Sequence, residues 1–411
     1  MTPFEELYRR VAEAYLNGKG KEDLTAFDPH HLDCLLNPDR HPVVCRLSDC
    51  MCGGDECEQS CFFDAIKRDE NGNAVISEKE CTGCGACIEV CKNKNLSGCK
   101  DIIPVLETLH KSDQPVYALI APAFISQFSE SVTPGKLRAA FKKLGFAGMI
   151  EVALFADILT LKEALEFDRS IHTDEDFMLT SCCCPIWIGM IRKVYNLLVP
   201  HIPPSVSPMA ACGRAVKKLH PGAKTVFIGP CLAKKAEARE ADIKEAVDHV
   251  LTFQEINDIF ELARIEPAQC EEDLRDHSST AGRIYARTGG VSRAVQSTLE
   301  RMVPEREIPL KAVQADGAQA CKALLAEVKS GNIRANFIEG MGCPGGCVGG
   351  PRVLIPREEG AAHVDRYGSE AAYETPVDNP YVIELLKRLG FDTIPSLLEG
   401  DNMFTRRFTD K

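Results

Sequence analysis

The chain has 411 residues, 45% hydrophobic and 26% charged, the balance of a soluble globular protein with room for two or three domains. A net charge of −12 argues against a nucleic-acid partner, because phosphate binding wants a basic face, and no apolar run is long enough to span a membrane. Twenty cysteines are too many for packing alone, and they point to metal or redox chemistry rather than a disulfide framework.

In chain order, Thr2-Pro3-Phe4-Glu5-Glu6 reads as the start of a capped amphipathic helix ending near Gly18, not as a secretory leader, so the expected compartment is the cytoplasm. Eleven cysteines lie between Cys34 and Cys99, and nine between Cys182 and Cys347. That split suggests a helical extension over 1–34, a small domain over 35–105 and a large domain over 106–411. In the small domain, Cys81, Cys84, Cys87 and Cys91 have the two-, two- and three-residue gaps of a bacterial ferredoxin half. Cys50, Cys52, Cys57 and Cys61 are a distorted copy, and Asn71-Gly72 marks a hairpin turn between the halves. Zinc suits such gaps poorly. By analogy with two-cluster ferredoxins, Cys61, Cys81, Cys84 and Cys87 hold one 4Fe–4S cluster, and Cys50, Cys52, Cys57 and Cys91 the other. Cys45 and Cys99 are close enough in sequence to compete, and Cys34, near His30 and His31, has no clear partner.

Beyond residue 106 the pattern alternates: a strand at 115–120, helices at 134–144 and 157–168, and a strand at 225–228. This predicts α/β layering with the site on loops at strand ends. Three cysteine motifs stand out, around Cys182-Cys183-Cys184-Pro185, Pro230-Cys231, and Gly342-Cys343-Pro344-Gly345-Gly346-Cys347. Four thiolates from three distant loops can hold one cubane cluster, and a Pro or Gly beside each lets the backbone come close.

This set resembles the signature of the iron-only (FeFe) hydrogenases, and the resemblance runs over nearly the whole chain. It implies an α/β (α+β) fold with a two-lobed catalytic domain built on small mixed sheets, plus a ferredoxin-like domain. It implies three 4Fe–4S clusters, one of them in an H-cluster on Cys184, Cys231, Cys343 and Cys347. Cys347 would bridge that cubane to a diiron subsite bearing CO, cyanide and a dithiolate amine, installed by maturation proteins. Lys234 would bind a cyanide, while Met341 and the amides around Pro122 and Ala123 would complete the pocket. The implied reaction is reversible reduction of protons to H2, with a ferredoxin-type electron partner. Cys183 is the first choice to carry protons, Cys182 the second, and Glu163 and Glu166, three apart on one helix face, could continue the path.

Departures from the family pattern surround the site. The first motif has an extra cysteine, Gly229 stands where a Met is usual, Met209-Ala210 replaces a pair of glutamines, and the usual relay serine falls on Pro203. These features resemble the divergent branches proposed to sense hydrogen, with modest turnover and a separate signalling partner. Two other readings compete: a cytosolic iron–sulfur assembly factor that binds cubanes alone, and a plain electron-transfer subunit.

Overall fold

A computed structural model describes residues 2–18, 27–180 and 182–408; Ser181 of the first cysteine motif lies outside the described residues. The N-terminal helix, Pro3–Leu16, starts at a reciprocal cap in which the Thr2 hydroxyl accepts from the Glu5 amide and the Glu5 carboxylate accepts from the Thr2 amide. Its apolar face, with Leu7, Tyr8 and Val11, joins the same core as the sheet residues Leu119 and Ile228. The helix Ile102–Lys111 enters that core too, through Ile102, Val105 and Leu106. The boundary expected at 105/106 therefore falls inside a helix, and the expected 1–34 extension is part of the large domain's packing. Tyr8 Oη ties the two ends of this arrangement, donating to Asp258 Oδ2 at 2.9 Å.

Two antiparallel ladders make the cysteine-rich module. Strands β1 (Val44–Arg46) and β4 (Leu96–Gly98) pair, as do β2 (Ile66–Arg68) and β3 (Ala74–Ile76). Gly72, at φ +76°, supplies the left-handed turn between β2 and β3 that the Asn-Gly pair predicts.

The large domain holds two small sheets. The first has the order β6-β5-β8-β9, from Gly148–Glu151, Val116–Ile120, Lys224–Gly229 and His249–Thr252. The second is β10-β11-β7, from Ala312–Asp316, Phe337–Met341 and Met178–Leu179. Every pairing in both is parallel, a narrower form than the mixed sheets expected. Runs such as Ala118-Leu119-Ile120 and Val226-Phe227-Ile228 are apolar without alternation because helices cover both faces.

Between the sheets runs the helix Ala153–Ser170, which begins earlier than the expected 157. It is buried nearly all round, and this includes Asp157, Lys162, Glu163 and Glu166. Asp157 is held by the amides of Ser279 and Gly282 at 2.7 and 2.8 Å, so a buried carboxylate satisfies the free donors where the helix Thr280–Arg283 starts. Glu339 on β11 does the same for the helix Gly290–Met302, accepting from the Gly289 and Ser292 amides, each at 2.8 Å.

The first and third cysteine loops are clamped by one indole. Trp187 is fully buried and donates from Nε1 to Thr180 O at 2.6 Å, while its ring lies flat against Gly340 on β11. A Cβ at position 340 would sit 2.1 Å from the ring. Gly340→Ala should therefore cost about 3 kcal/mol, the upper range for overpacking. A lowered thermal midpoint, with loss of iron from the third cysteine set ahead of the other two, checks this; an unchanged midpoint would mean the indole moves freely.

Candidate functional site

The four cysteines of the proposed cubane all leave the carboxyl ends of parallel strands. Cys231 follows β8, and Cys343 and Cys347 follow β11. Cys184 follows β7 and caps the helix Pro185–Lys193. The Pro122–Phe124 turn follows β5. Two sheets thus deliver their loops to one seam, where open α/β sheets place ligands. Cys184, Cys231 and Cys343 border one hydrophobic core and Cys347 borders the other. All twenty cysteines are free thiols.

Burial, then the neighbouring sulfurs, raises the thiols of Cys231 to about 11 and Cys347 to about 12. Cys343 rises as well, from burial first and then from Cys231, Cys184 and Cys347. Such groups stay neutral unless something displaces their protons, and a soft metal does so. The Gly342 amide donates to Cys184 Sγ at 3.2 Å, a contact that favours a thiolate there. This donor set fits an iron–sulfur cubane.

The cysteine-rich module brings together the two sets expected from its spacing. Cys61, Cys81, Cys84 and Cys87 line one small cavity, and Cys50, Cys52, Cys57 and Cys91 line another. Amides donate to Cys61 and Cys50 at 3.3 and 3.4 Å, and the Arg68 guanidinium donates to Cys57 at 3.4 Å. Cys87 feels the charge of Cys57, and Cys343 that of Cys84, so the three sets lie in sequence with Cys61, Cys81, Cys84 and Cys87 in the middle. Leu232, next to Cys231, wedges against Gly83, Gly85 and Gly98 of the module.

Cys45 and Cys99 line neither cavity. They are buried with Cys34 in the main core, where Cys45 Sγ donates to Pro42 O at 3.3 Å and Arg239 donates to Cys99 Sγ at 3.4 Å. His30 Nε2 stands 3.8 Å from Cys34 Sγ but is spent on the Arg46 carbonyl at 2.7 Å, and His31 reaches the Leu47 carbonyl.

Around the seam, Lys234 is buried and its Nζ donates to Glu237 Oε2 at 2.6 Å, leaving two further N–H donors. Its ammonium acts on Cys183 and Cys231. Met341 is buried at the end of β11, where its carbonyl accepts from Cys321 Sγ at 3.3 Å. Ala123 is buried and Pro122 partly so. At Gly229, the space a larger side chain would use is taken: a Cβ would meet the Phe227 ring at 2.8 Å and Ala121 at 3.1 Å.

Of the two thiols considered as proton carriers, it is Cys182 that meets Glu163. Cys182 Sγ donates to Glu163 Oε1 at 3.5 Å, and Thr180 Oγ1 to Oε2 at 2.7 Å. Burial first, then Cys182, Cys347 and Cys184, raises the Cys183 thiol well above its usual range. Consecutive residues point apart, and an extra cysteine in the motif cannot be given a direction without its neighbours. Burial, opposed by the Thr180 and Cys182 hydrogen bonds, raises Glu163 to about 7. Glu166 is buried with Lys162 on one side, Nζ to Oε1 at 3.3 Å, and Arg169 on the other. Sequence reasoning missed Lys162, Ser205 and Glu237. Glu237 was open to discovery as an acid three residues beyond Lys234, but the other two meet only through the fold.

Residues 114–351 match the family described as iron-only hydrogenase large subunit, C-terminal domain, and residues 74–96 match a 4Fe–4S binding domain. The chain belongs to the iron-only hydrogenase large-subunit family, with a ferredoxin-type 4Fe–4S region and an H-cluster domain. It is 31% identical over 271 residues to the periplasmic Fe hydrogenase large subunit of Nitratidesulfovibrio vulgaris, covering 55% of this chain and 64% of that one. It is 29% identical over 275 residues to iron hydrogenase 1 of Clostridium pasteurianum, covering 57% and 48%. Thus it spans between about half and two thirds of the length of these relatives. Cytosolic iron-sulfur assembly component 3 of Bos taurus is 25% identical over 383 residues, covering 77% and 80%. A variant of the FeFe-hydrogenase HydA1 from Chlamydomonas reinhardtii superposes with a TM-score of 0.60 at 19% identity, over 76% of this chain and 99% of that one, which fixes the fold. Among the described residues no helix is long and apolar enough to cross a membrane.

The full chain isolated without maturation should carry about twelve iron atoms, four per cubane. Iron analysis near eight would mean that Cys50, Cys52, Cys57 and Cys91 do not assemble a cluster.

Proposed function

We propose that this protein is an iron-only hydrogenase that interconverts protons, electrons and H2 at an H-cluster on Cys184, Cys231, Cys343 and Cys347. The observation that carries this is the convergence of these four thiols, Cys184 buried and the others partly so, near Lys234 and Met341, with the Cys182 thiol on Glu163. When bound, the diiron group supplies the two-electron chemistry of dihydrogen. The chain's own work is to hold that group, exclude water and move charge. Lys234, with donors to spare, binds a cyanide as a charge-assisted hydrogen bond in a dry pocket. The two further cysteine sets carry electrons from the surface, where Cys52 is exposed beside Met51 at 85% exposure. A small redox protein of ferredoxin type is the electron partner, and maturation proteins insert the diiron group, in the cytoplasm.

The surroundings favour modest turnover and a hydrogen-sensing role passed to a separate signalling partner. Phe227 and Gly229 replace a thioether beside the diiron position, and Pro203 removes a relay hydroxyl. An assembly-factor reading draws on the longer coverage of the Bos taurus relative. It leaves Met341, the buried Lys234 and the Cys182 thiol on Glu163 without work to do.

Infrared spectra of the protein exposed to hydrogenase maturation proteins decide between these readings. Bands in the metal CO and cyanide stretching region are expected, and their absence after successful insertion in a control hydrogenase would favour the assembly factor. Lys234→Ala together with Glu237→Gln, which avoids stranding a buried carboxylate, should lose those bands and keep the cubane. Bands at wild-type intensity would remove the role given to Lys234. Cys182→Ala should lower hydrogen turnover by about a hundredfold, the low end of acid–base contributions. Full turnover would place the relay elsewhere.

A further inference from the structure

Against the third cysteine loop packs the helix Arg357–Ser369. A Cβ at Gly360 would meet Val348 Cβ at 3.4 Å, and Arg357 Cδ lies 3.7 Å from where a Cβ at Gly345 would stand. Glu359 and His363 lie one turn apart on this helix, and Glu130 reaches them from the turn ahead of the helix Pro134–Lys143. One ligating atom from each of the three lies within 4.8 Å of the other two. His363 Nε2 stands 3.5 Å from Glu130 Oε1 and 3.6 Å from Glu359 Oε1. The imidazole is 6% exposed, and its Nε2 is buried without a hydrogen-bond partner, since both carboxylates are too distant to accept from it. Among the described residues, this imidazole is the only base within ion-pair reach of either carboxylate.

We propose that Glu130, Glu359 and His363 form a binding site for a first-row divalent cation of the zinc type, separate from the iron–sulfur sets. An imidazole nitrogen and two carboxylate oxygens are three of the four ligands of tetrahedral zinc, and water takes the fourth place. Ligands at about 2.1 Å in a tetrahedron stand about 3.4 Å apart, close to the 3.5 and 3.6 Å between Nε2 and the two carboxylates. Two carboxylates held together repel, and a cation between them turns that repulsion into attraction. An imidazolium ion pair is the plain alternative, and Arg366 excludes it. Its Nη2 meets His363 Nδ1 at 2.8 Å, and a guanidinium can only donate, so the ring is neutral with its proton on Nε2. A cation that takes Nε2 sends this proton to Nδ1 through water, so the ring keeps its charge and Arg366 loses its acceptor. Arg366 is exposed, so its guanidinium turns into solvent. The arginine is therefore a competitor that holds the ring in the tautomer unable to ligate. The cation joins two segments that flank the cluster seam, the one after the Pro122–Phe124 turn and the helix packed on the Cys347 loop. This site goes beyond the hydrogenase reading and does not rest on it.

Equilibrium dialysis of the full chain against zinc chloride, with its iron–sulfur clusters in place and without maturation, tests the site. Glu130 and Glu359 are exposed, so Glu130→Gln and Glu359→Gln should fold as the wild type does. The wild type should load one zinc per chain that each variant binds at least about a hundredfold more weakly, the upper end of what losing even an outer partner of a ligand costs. Equal zinc in the wild type and both variants, or no zinc loaded by the wild type, would overturn the site. The difference in zinc K-edge fine structure between the wild type and Glu359→Gln should show nitrogen and oxygen neighbours at about 2.0–2.1 Å and no sulfur at about 2.3 Å. Sulfur in that difference would put the ion on cysteines and overturn the assignment. Arg366→Gln should bind zinc on the order of tenfold more tightly, because its amide oxygen accepts the Nδ1 proton that the arginine opposes. Unchanged or weaker binding would mean that the ion does not take Nε2. Zinc should also raise the thermal midpoint of the wild type and leave that of Glu359→Gln in place, since only a site formed in the folded chain stabilises it; equal rises in both would place the bound zinc elsewhere. Success or failure of hydrogen turnover in matured protein bears on the hydrogenase reading and leaves each of these results standing.

Discussion

Everything in this molecule is arranged around sulfur that has no water. Four thiols from three loops sit at the seam of two sheets, and burial alone keeps such groups protonated. Only a metal can hold them together as thiolates, so the loops must be positioned by the scaffold rather than by each other. Parallel strands do this well. Their carboxyl ends fall on one edge of a sheet, and β5 and β8 from one sheet meet β7 and β11 from the other. The Trp187 indole against Gly340 then fixes the first loop on the third, at the cost of any side chain at that position.

The same dryness governs the charged residues. Lys162, Lys234 and Lys235 are all buried, and each meets a carboxylate: Glu166 at 3.3 Å, Glu237 at 2.6 Å and Glu255 at 2.9 Å. An unpaired charge at such depth would cost several kcal/mol, so these pairs are conditions for folding before they are parts of a mechanism. They differ in what they leave free. Lys235 is spent on Glu255, Asp101 and the Cys99 carbonyl, which ties the end of the cysteine-rich module to the large domain. Lys234 keeps donors beyond the one on Glu237, whereas Lys162 has placed all of its own, on Glu166, the Pro204 carbonyl and the Ser205 hydroxyl.

The cysteines were legible because cluster ligation imposes spacing on sequence. The gaps among Cys81, Cys84, Cys87 and Cys91 are local geometry, and so is the Cys343-to-Cys347 loop. Alternation of strand and helix gave the α/β class for the same reason. Where contacts join distant segments, the sequence was silent. The Ile102–Lys111 helix looks like a linker until Ile102 and Val105 are seen packed in the core with Leu7 and Tyr8, and a boundary drawn from composition cut through it. Cys45 and Cys99 looked available to the ferredoxin module, yet their strands turn the thiols toward Cys34 in the main core, away from both cavities. Gly229 announced a lost thioether, but the Phe227 ring beside it could not be read from a one-residue change.

The proton side shows how much a one-dimensional comparison can mislead. Aligned on Ser207-Pro208, Pro203 looks like a broken wire, since proline offers no proton and no donor. In three dimensions that segment meets the helix at a lysine: Lys162 precedes Glu163 and reaches Glu166 one turn on, as i,i+4 pairs do. Pro203 and Pro204 flank that meeting point. The Ser205 amide turns back to the Pro203 carbonyl at 2.8 Å, and the Pro204 carbonyl and the Ser205 hydroxyl receive the ammonium at 2.9 and 3.0 Å. With its N–H donors placed on Glu166, Pro204 and Ser205, the ammonium pins this segment to the helix.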